Sequence, residues 1–416
     1  MPTIQVVFFD AGGGHRSAAM ALAEAVRIEK RPWTVELINL QQILGHLDFV
    51  RKATGVYSQD VYNWSLRRGW TQAPSRVLPA MHGIIRLLHP RMVRELYDFW
   101  SVQRPDLVVS VIPHFNRALY ESVSIALPGT PLVTVLTDIA DHPPHFWIER
   151  QNQHFICGSD RAVAQALGIG VPPDHVWRVS GMPIHPRFYD PIHSDRVAER
   201  QRHGLDPDVP TGLVLFGGYG SAVMLDIMER LARANLPVQL ILLCGRNKEL
   251  AAALAKSPSS IRRVIRTFVD DVTGYMHLSD FFIGKPGPGC VSEALAMKLP
   301  VIVERNYRTM VQERYNCDWL EEQGAGIVVP SFAKIAPAVA KLLDPAIYQG
   351  FRERIEMLNN RAVFEITGIV EKILSSPQVL HYDLPLNKKT NSMIRMATTI
   401  TSSTKVRAWW NSSTID

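Results

Sequence analysis

The chain has 416 residues, 46% of them apolar, which is more than one hydrophobic core usually serves, so two globular domains are the default expectation. Lys and Arg total 45 against 39 Asp and Glu, a formal charge of +6 that favours anionic partners but falls short of a nucleic-acid-binding signature. The four cysteines, Cys157, Cys244, Cys290 and Cys317, are dispersed without C-x-x-C spacing, which argues against a zinc site or disulfide framework and for free thiols in a reducing cytosol.

In chain order, no basic segment leads into an apolar run at the start, and stretches such as 107–112 and 240–244 are too short to span a bilayer. Neither a signal peptide nor a membrane crossing is therefore expected. Ile4 to Phe9 reads as a strand that meets Ala11-Gly-Gly-Gly-His15, after which Ala18, Ala19, Leu22, Ala23 and Val26 recur at helical spacing. Further strands are predicted at 35–40, 107–112, 132–136 and 154–157, each bounded by Pro, Gly or polar clusters. A fresh series opens at 212–216 and continues at 239–243, 264–267, 281–283 and 301–303. Continuous apolar strands alternating with helices imply an α/β protein with buried parallel sheets. The boundary between the series falls in the polar, Pro-containing stretch 186–210. This sets a first domain at 1–190 and a second at 191–377, with a polar tail at 378–416 expected to be disordered.

Three Gly-rich turns follow strands. Gly12-Gly13-Gly14 opens a helix, where amide groups at its positive end suit an anion or a sugar hydroxyl; a turn that needs positive φ is the plainer alternative. His15 follows directly, either as a general base for an acceptor hydroxyl or as a helix-capping residue. Phe216-Gly217-Gly218-Tyr219-Gly220 repeats the arrangement in the second series. The most specific stretch is Gly284-Lys-Pro-Gly287-Pro288-Gly289-Cys-Val-Ser-Glu293, whose amides suit a diphosphate and whose Glu293 suits vicinal ribose hydroxyls. Gln312, Glu313 and Asn316 form a polar cluster of the kind that reads sugar hydroxyls, or a solvated helix start. Asp138 ends the strand 132–136 and precedes Asp141-His142-Pro143-Pro144, at the edge where open α/β sheets bind ligands; loop capping by Asp is the alternative. No third ligand for a metal is evident there.

Taken in order, Gly-Gly-Gly-His15, Ser110-Val-Ile-Pro113, Val135-Leu-Thr-Asp138, Cys157-Gly-Ser159, Ser180-Gly-Met-Pro183, Gly217-Gly218, Cys244-Gly-Arg-Asn-Lys248, Lys285-Pro-Gly-Pro-Gly289 with Glu293, and Gln312-Glu313 with Asn316 resemble the monogalactosyldiacylglycerol synthases and the diacylglycerol glucosyltransferases. The peptidoglycan GlcNAc transferases are more distant kin. The resemblance covers most of residues 4–345. It implies the GT-B fold, two Rossmann-like domains facing a central cleft, with an inverting mechanism, no cofactor and no metal ion at the diphosphate. It further implies that Glu293 holds the ribose, that Gly287, Pro288 and Gly289 with Gly217 and Gly218 surround the diphosphate, and that Phe268-Val269 lies beside the uracil. Gln312 and Glu313 would contact the donor sugar with Asn316 nearby, and His15 would be the base with Asp138 as rival or helper. Two departures bear on the donor sugar: the second Gly loop is shorter than in the synthases, and Val311 stands where they tend to have Gly.

Between Gly45 and Arg104, Tyr57, Tyr62, Trp64 and Trp70 interleave with Arg51, Lys52, Arg67, Arg68, Arg76, Arg86, Arg91 and Arg94 against four acids, Asp48, Asp60, Glu95 and Asp98. Aromatic rings suit the headgroup boundary and cations suit anionic lipid. Tyr62, Trp64, Arg67, Arg68 and Trp70, with Gly13 and Gly14, are therefore the expected acceptor and membrane residues, a solvated helical face being the alternative. The expectation is a cytoplasmic enzyme at the inner face of a membrane, moving a hexose from UDP-galactose, or next UDP-glucose, to a lipid acceptor such as diacylglycerol. The other readings kept are a UDP-GlcNAc-using transferase, a UDP-sugar 2-epimerase and a non-catalytic lipid- or nucleotide-binding module.

Overall fold

The computed structural model describes residues 1–10, 13–45 and 72–376, with side chains from residue 83 onward in the last segment. Two six-stranded sheets carry the fold, and every pairing in both is parallel. The first contains β1 (Thr3–Phe8), β2 (Thr34–Asn39), β3 (Leu107–Ser110), β4 (Leu132–Val135), β5 (His154–Cys157) and β6 (Val176–Arg178), in the order β2-β1-β3-β4-β5-β6. The second contains β7 (Thr211–Leu215), β8 (Gln239–Leu243), β9 (Arg263–Arg266), β10 (Phe281–Gly284), β11 (Val301–Glu304) and β12 (Gly326–Val329), in the order β12-β11-β10-β7-β8-β9. The strands β3, β4, β7, β8 and β10 are buried along their whole length, the consequence of helices covering both faces. Helix α1 (Gly14–Ile28) leaves β1, and the long α2 (Gln72–Gln103) leads into β3, burying Met92, Val93, Leu96 and Trp100 in one core with Val7, Val108 and Leu119.

All strands of a sheet point the same way, so the loops after them gather at one edge. Each sheet reverses its strand order at one place, between β1 and β3 and between β7 and β10. At such reversals the flanking helices leave in opposite directions and open a crevice. The Gly-rich turns lie there: Gly13 begins α1 after β1, Gly217-Gly218 follow β7, and Gly287 caps α3 (Pro288–Ala296) after β10.

The last described helix, α4 (Ala362–Ser375), does not pack on the second sheet. Its Ala362, Val363, Ile366, Ile369, Val370 and Ile373 enter one core with Ile4, Ala18, Leu22 and Val109 of the first. The spacing is that of one helical face. Residues 362–376, expected with the second domain, thus return to the first. The Ser180-Gly181-Met182 stretch clasps the returning chain: the Ser180 amide donates to Glu365, the Arg361 amide donates to Ser180 Oγ (2.6 Å), and Asn360 Nδ2 donates to the Met182 carbonyl (2.9 Å). A Cβ at Gly181 would sit 2.8 Å from Asn360, so glycine is needed for this approach. The short edge strands β6 and β12 add to the set that the sequence predicts.

Candidate active site

Turns of the first sheet bring His15, Thr137, Asp138 and Trp147 together. His15 is the second residue of α1, and its Nδ1 lies 3.2 Å from Thr137 Oγ1 in the loop after β4. Its ring is 5.9 Å from that of Trp147. Desolvation lowers its pKa from 6.5 to about 4, against a smaller opposing effect of a hydrogen bond with the Val111 backbone. The imidazole is therefore neutral at physiological pH, the state in which it can accept a proton.

Asp138 is buried and accepts a hydrogen bond from Trp147 Nε1 (2.9 Å). Burial pushes its carboxyl from 3.8 to about 7, with the Trp147 bond pulling the other way; Glu313 adds to the rise and Lys285 opposes it. Both of these belong to the second sheet's turns, so charges of one half act on the acid of the other. Asp141 has a different role. Its carboxylate accepts from the amides of His145 (2.9 Å) and Trp147 (2.6 Å), while its own amide donates to Gln165, which fixes the loop that presents Trp147. Nothing in the sequence marks Trp147 as a partner of Asp138.

On the second sheet, the glycines divide by what surrounds them. Gly217 has φ +74, and Gly245 has φ +58 with a hypothetical Cβ 2.3 Å from the Gly218 carbonyl oxygen; these two are required by the backbone. The Arg246 amide donates to that same carbonyl (2.9 Å), locking the turn after β8 onto the turn after β7. Gly218 and Gly289 are different. Neither has positive φ, and a Cβ on either would meet no atom within 4 Å. Gly289 even sits within α3, and glycine in a helix costs up to about 1 kcal/mol relative to alanine. The fold does not need glycine at these two positions, and the missing side chains leave the backbone there open to close approach. The first turn of α3 has no side-chain cap, so its amides point at the same space. Gly13, with φ +84, and Gly14 likewise face open space.

The side chain of Glu293, in α3, makes no hydrogen bond or ion pair among the described residues. Desolvation raises its pKa from 4.5 to about 7, eased by Arg187. Phe268 is half-exposed, with the Arg246 guanidinium 5.2 Å over its ring, while Val269 packs into the core beneath. Glu313 is buried and receives Lys285 Nζ at 2.8 Å. Gln312 stays half-buried, its Nε2 3.6 Å from Met310 Sδ. Asn316 is fully buried and donates to the Pro286 carbonyl (2.8 Å), so it holds the 285–287 turn in place. Sequence reasoning missed Lys285, Arg246 and Trp147 as site residues, although the first two stand inside stretches it singled out. The expected acceptor residues Tyr62, Trp64, Arg67, Arg68 and Trp70, and the tail 378–416, lie outside the described residues. Among the described residues no cluster of metal-ligating side chains occurs and no helix is long and apolar enough to cross a membrane.

Residues 15–184 match the monogalactosyldiacylglycerol (MGDG) synthase family, and 214–346 match the glycosyltransferase family 28 C-terminal domain. A probable monogalactosyldiacylglycerol synthase 2 of Oryza sativa subsp. japonica is 28% identical over 400 residues, covering 90% of this chain and 81% of the relative. Monogalactosyldiacylglycerol synthase 1 of Arabidopsis thaliana is 26% identical over 405 residues, covering 90% and 72%. Among solved structures, the S. aureus MnaA–UDP co-structure aligns with a TM-score of 0.59 at 15% identity, covering 92% of this chain and 100% of that one. Acinetobacter baumannii MurG aligns at 0.55 and 13% identity, covering 89% and 99%. These likenesses establish the GT-B architecture expected from the sequence.

Proposed function

Starting from a chain that is a glycosyltransferase of the monogalactosyldiacylglycerol synthase type, we propose that it transfers galactose from UDP-galactose to diacylglycerol with inversion at the anomeric carbon. The observation that carries this reading is the meeting of two half-sites. Open glycine loops suited to a diphosphate lie on one half, while a neutral imidazole and a buried carboxyl lie on the other, within electrostatic reach of Glu313 and Lys285. UDP is bound in the MnaA co-structure, which shares this fold, and the synthase relatives are named for the galactolipid they make.

In this reading uracil stacks at Phe268 and Val269, and the ribose hydroxyls meet the carboxyl of Glu293. The diphosphate rests on the amides of Gly217, Gly218, Gly287 and Gly289 at the start of α3, with Pro288 fixing the turn. Gln312 and Glu313 address the hexose, with Asn316 supporting the turn from below. His15 takes the proton of the lipid hydroxyl as that oxygen attacks the anomeric carbon and UDP departs from the opposite face. Asp138 steadies the charge that develops beside it. Amides already aimed at the leaving phosphate stabilise it without reorganising, which is the largest source of rate enhancement available to such a site.

The membrane side is supported by the outer face of α2. Ile84, Leu87, Arg91 and Arg94 follow at helical spacing and all four are exposed, Leu87 at 79%. An apolar patch continued by cations suits the edge of an anionic bilayer, beside which Gly13 and Gly14 would receive the acceptor. The deciding experiment is UDP release from UDP-galactose, UDP-glucose and UDP-GlcNAc, each with and without diacylglycerol in anionic vesicles. Release that requires diacylglycerol, fastest with UDP-galactose, is the expected result. Conversion of a donor without any lipid would overturn the transferase assignment in favour of epimerase chemistry.

A further inference from the structure

Lys285 follows β10 directly, at the strand-order reversal, and its side chain runs between the two glycine turns. Its Cε is 3.9 Å from where a Cβ on Gly217 would stand and 3.2 Å from the same point on Gly287. Its ammonium ends on Glu313 at 2.8 Å. The two partners are unequally placed: the Glu313 side chain is 7% exposed and the Lys285 side chain 37%. A buried carboxylate is costly unless a cation answers it, so Glu313 depends on Lys285. The lysine, partly in solvent on a flexible stem, can turn to another anion within reach.

We infer that Lys285 is a partner-switching cation: it rests on Glu313 before the donor binds and moves to the donor diphosphate on binding, releasing Glu313 to the hydroxyls of the sugar. This rests on the UDP-sugar reading above. The backbone does not have to move, because Asn316 pins the Pro286 carbonyl and holds the turn while the side chain turns. The exchange keeps the site balanced. The diphosphate receives a cation as it leaves water, and Glu313 loses its neutralising partner only when donor hydroxyls arrive to hydrogen-bond it. A nucleotide without a sugar would draw the lysine away and leave Glu313 buried and unanswered, so UDP alone works against the resting pair.

The test is calorimetric binding of UDP and of uridine to the wild type, Glu313→Gln, Lys285→Met and the double variant, the double serving because it leaves no orphan charge to unfold the site. Glu313→Gln should bind UDP several-fold more tightly than the wild type, since no ion pair competes for the lysine. Adding Lys285→Met to that variant should weaken UDP about tenfold or more and leave uridine unchanged, as expected for loss of one charge-assisted contact to phosphate. If Glu313→Gln tightens UDP equally with and without Lys285, the gain comes from removing a negative charge and the switch is refuted. If Lys285→Met does not change the difference between UDP and uridine, the lysine never reaches the diphosphate and the inference fails while the donor reading stands. A wild type that binds neither UDP nor uridine would overturn the donor reading itself.

Discussion

Replacing Asp138 by Asn should make the protein more stable and less active, and the gain in stability should grow with pH. The Asp138 carboxyl is pushed from its ordinary 3.8 to about 7, first by burial, with Glu313 and Asp141 adding to the rise and Trp147 and Lys285 opposing it. The folded protein therefore keeps a proton that the unfolded chain has given up. Its contribution to stability is fully present below pH 3.8 and is lost as pH rises through the window from 3.8 to about 7, the reverse of an ordinary salt-bridged aspartate. At about 1.4 kcal/mol per pKa unit, the loss is on the order of 1.5 kcal/mol at pH 5 and of 4 kcal/mol at pH 8. Asn is nearly isosteric, has no charge to desolvate and can still accept from Trp147 Nε1. Thermal unfolding of both proteins at the two pH values should show the Asp138→Asn variant melting higher by several degrees at pH 8 and by much less at pH 5. A variant no more stable than the wild type at pH 8, or a difference independent of pH, would show that Asp138 is not desolvated in the way the fold requires.

His15→Ala should lower kcat by about 10² to 10⁴ with donor KM little changed, as expected for loss of a general base, measured by UDP release on lipid vesicles. Glu293→Ala should do the opposite, raising donor KM about tenfold or more and leaving kcat within a few-fold, because hydrogen bonds between the ribose hydroxyls and this carboxyl would contribute to binding throughout the reaction. Gly289→Ala should leave stability unchanged or raise it by up to about 1 kcal/mol in thermal melts, since no protein atom blocks the methyl, yet weaken UDP in calorimetry. Arg200→Ala should destabilise the second sheet by about 1 to 3 kcal/mol in denaturant titration, because buried Arg200 donates to the carbonyls of Leu278 and Pro207, which lose their partner, while Asp280 keeps its ion pair with Arg196 at 2.7 Å.

The strands, the three glycine turns and the candidate groups His15, Asp138 and Glu293 were legible because each depends on local pattern: an apolar run, a missing side chain, a polar residue at a strand's end. What escaped depends on contacts between distant residues. Lys285 and Glu313 are 28 positions apart and meet only because β10 and β11 lie side by side. Trp147 reaches Asp138 through a loop whose shape is set by Asp141, and no periodicity records that. Helix α4 has the apolar spacing of any core helix, and nothing in the spacing says which of two sheets it will cover. The edge strand β6 is three residues long and ends in Trp-Arg, too short to show an apolar signature, whereas β12 is an apolar run as long as β3 or β4 and was open to the same reading.

Three carboxylates, on Asp138, Glu293 and Glu313, belong to a site proposed to take up a diphosphate, and three negative charges there would repel it. The structure answers each one separately. Glu313 is neutralised by Lys285 at 2.8 Å. Asp138 and Glu293 are desolvated until their pKa values stand at about 7, so near neutral pH each is protonated about half the time. His15, with a pKa of about 4, adds no positive charge of its own. Burial thus does two things at once. It withholds negative charge from carboxyls that would repel a diphosphate, and it withholds positive charge from the imidazole proposed to act as a base. The open amides of Gly218 and α3 and the ammonium of Lys285 have the sign that the proposed UDP leaving group would require.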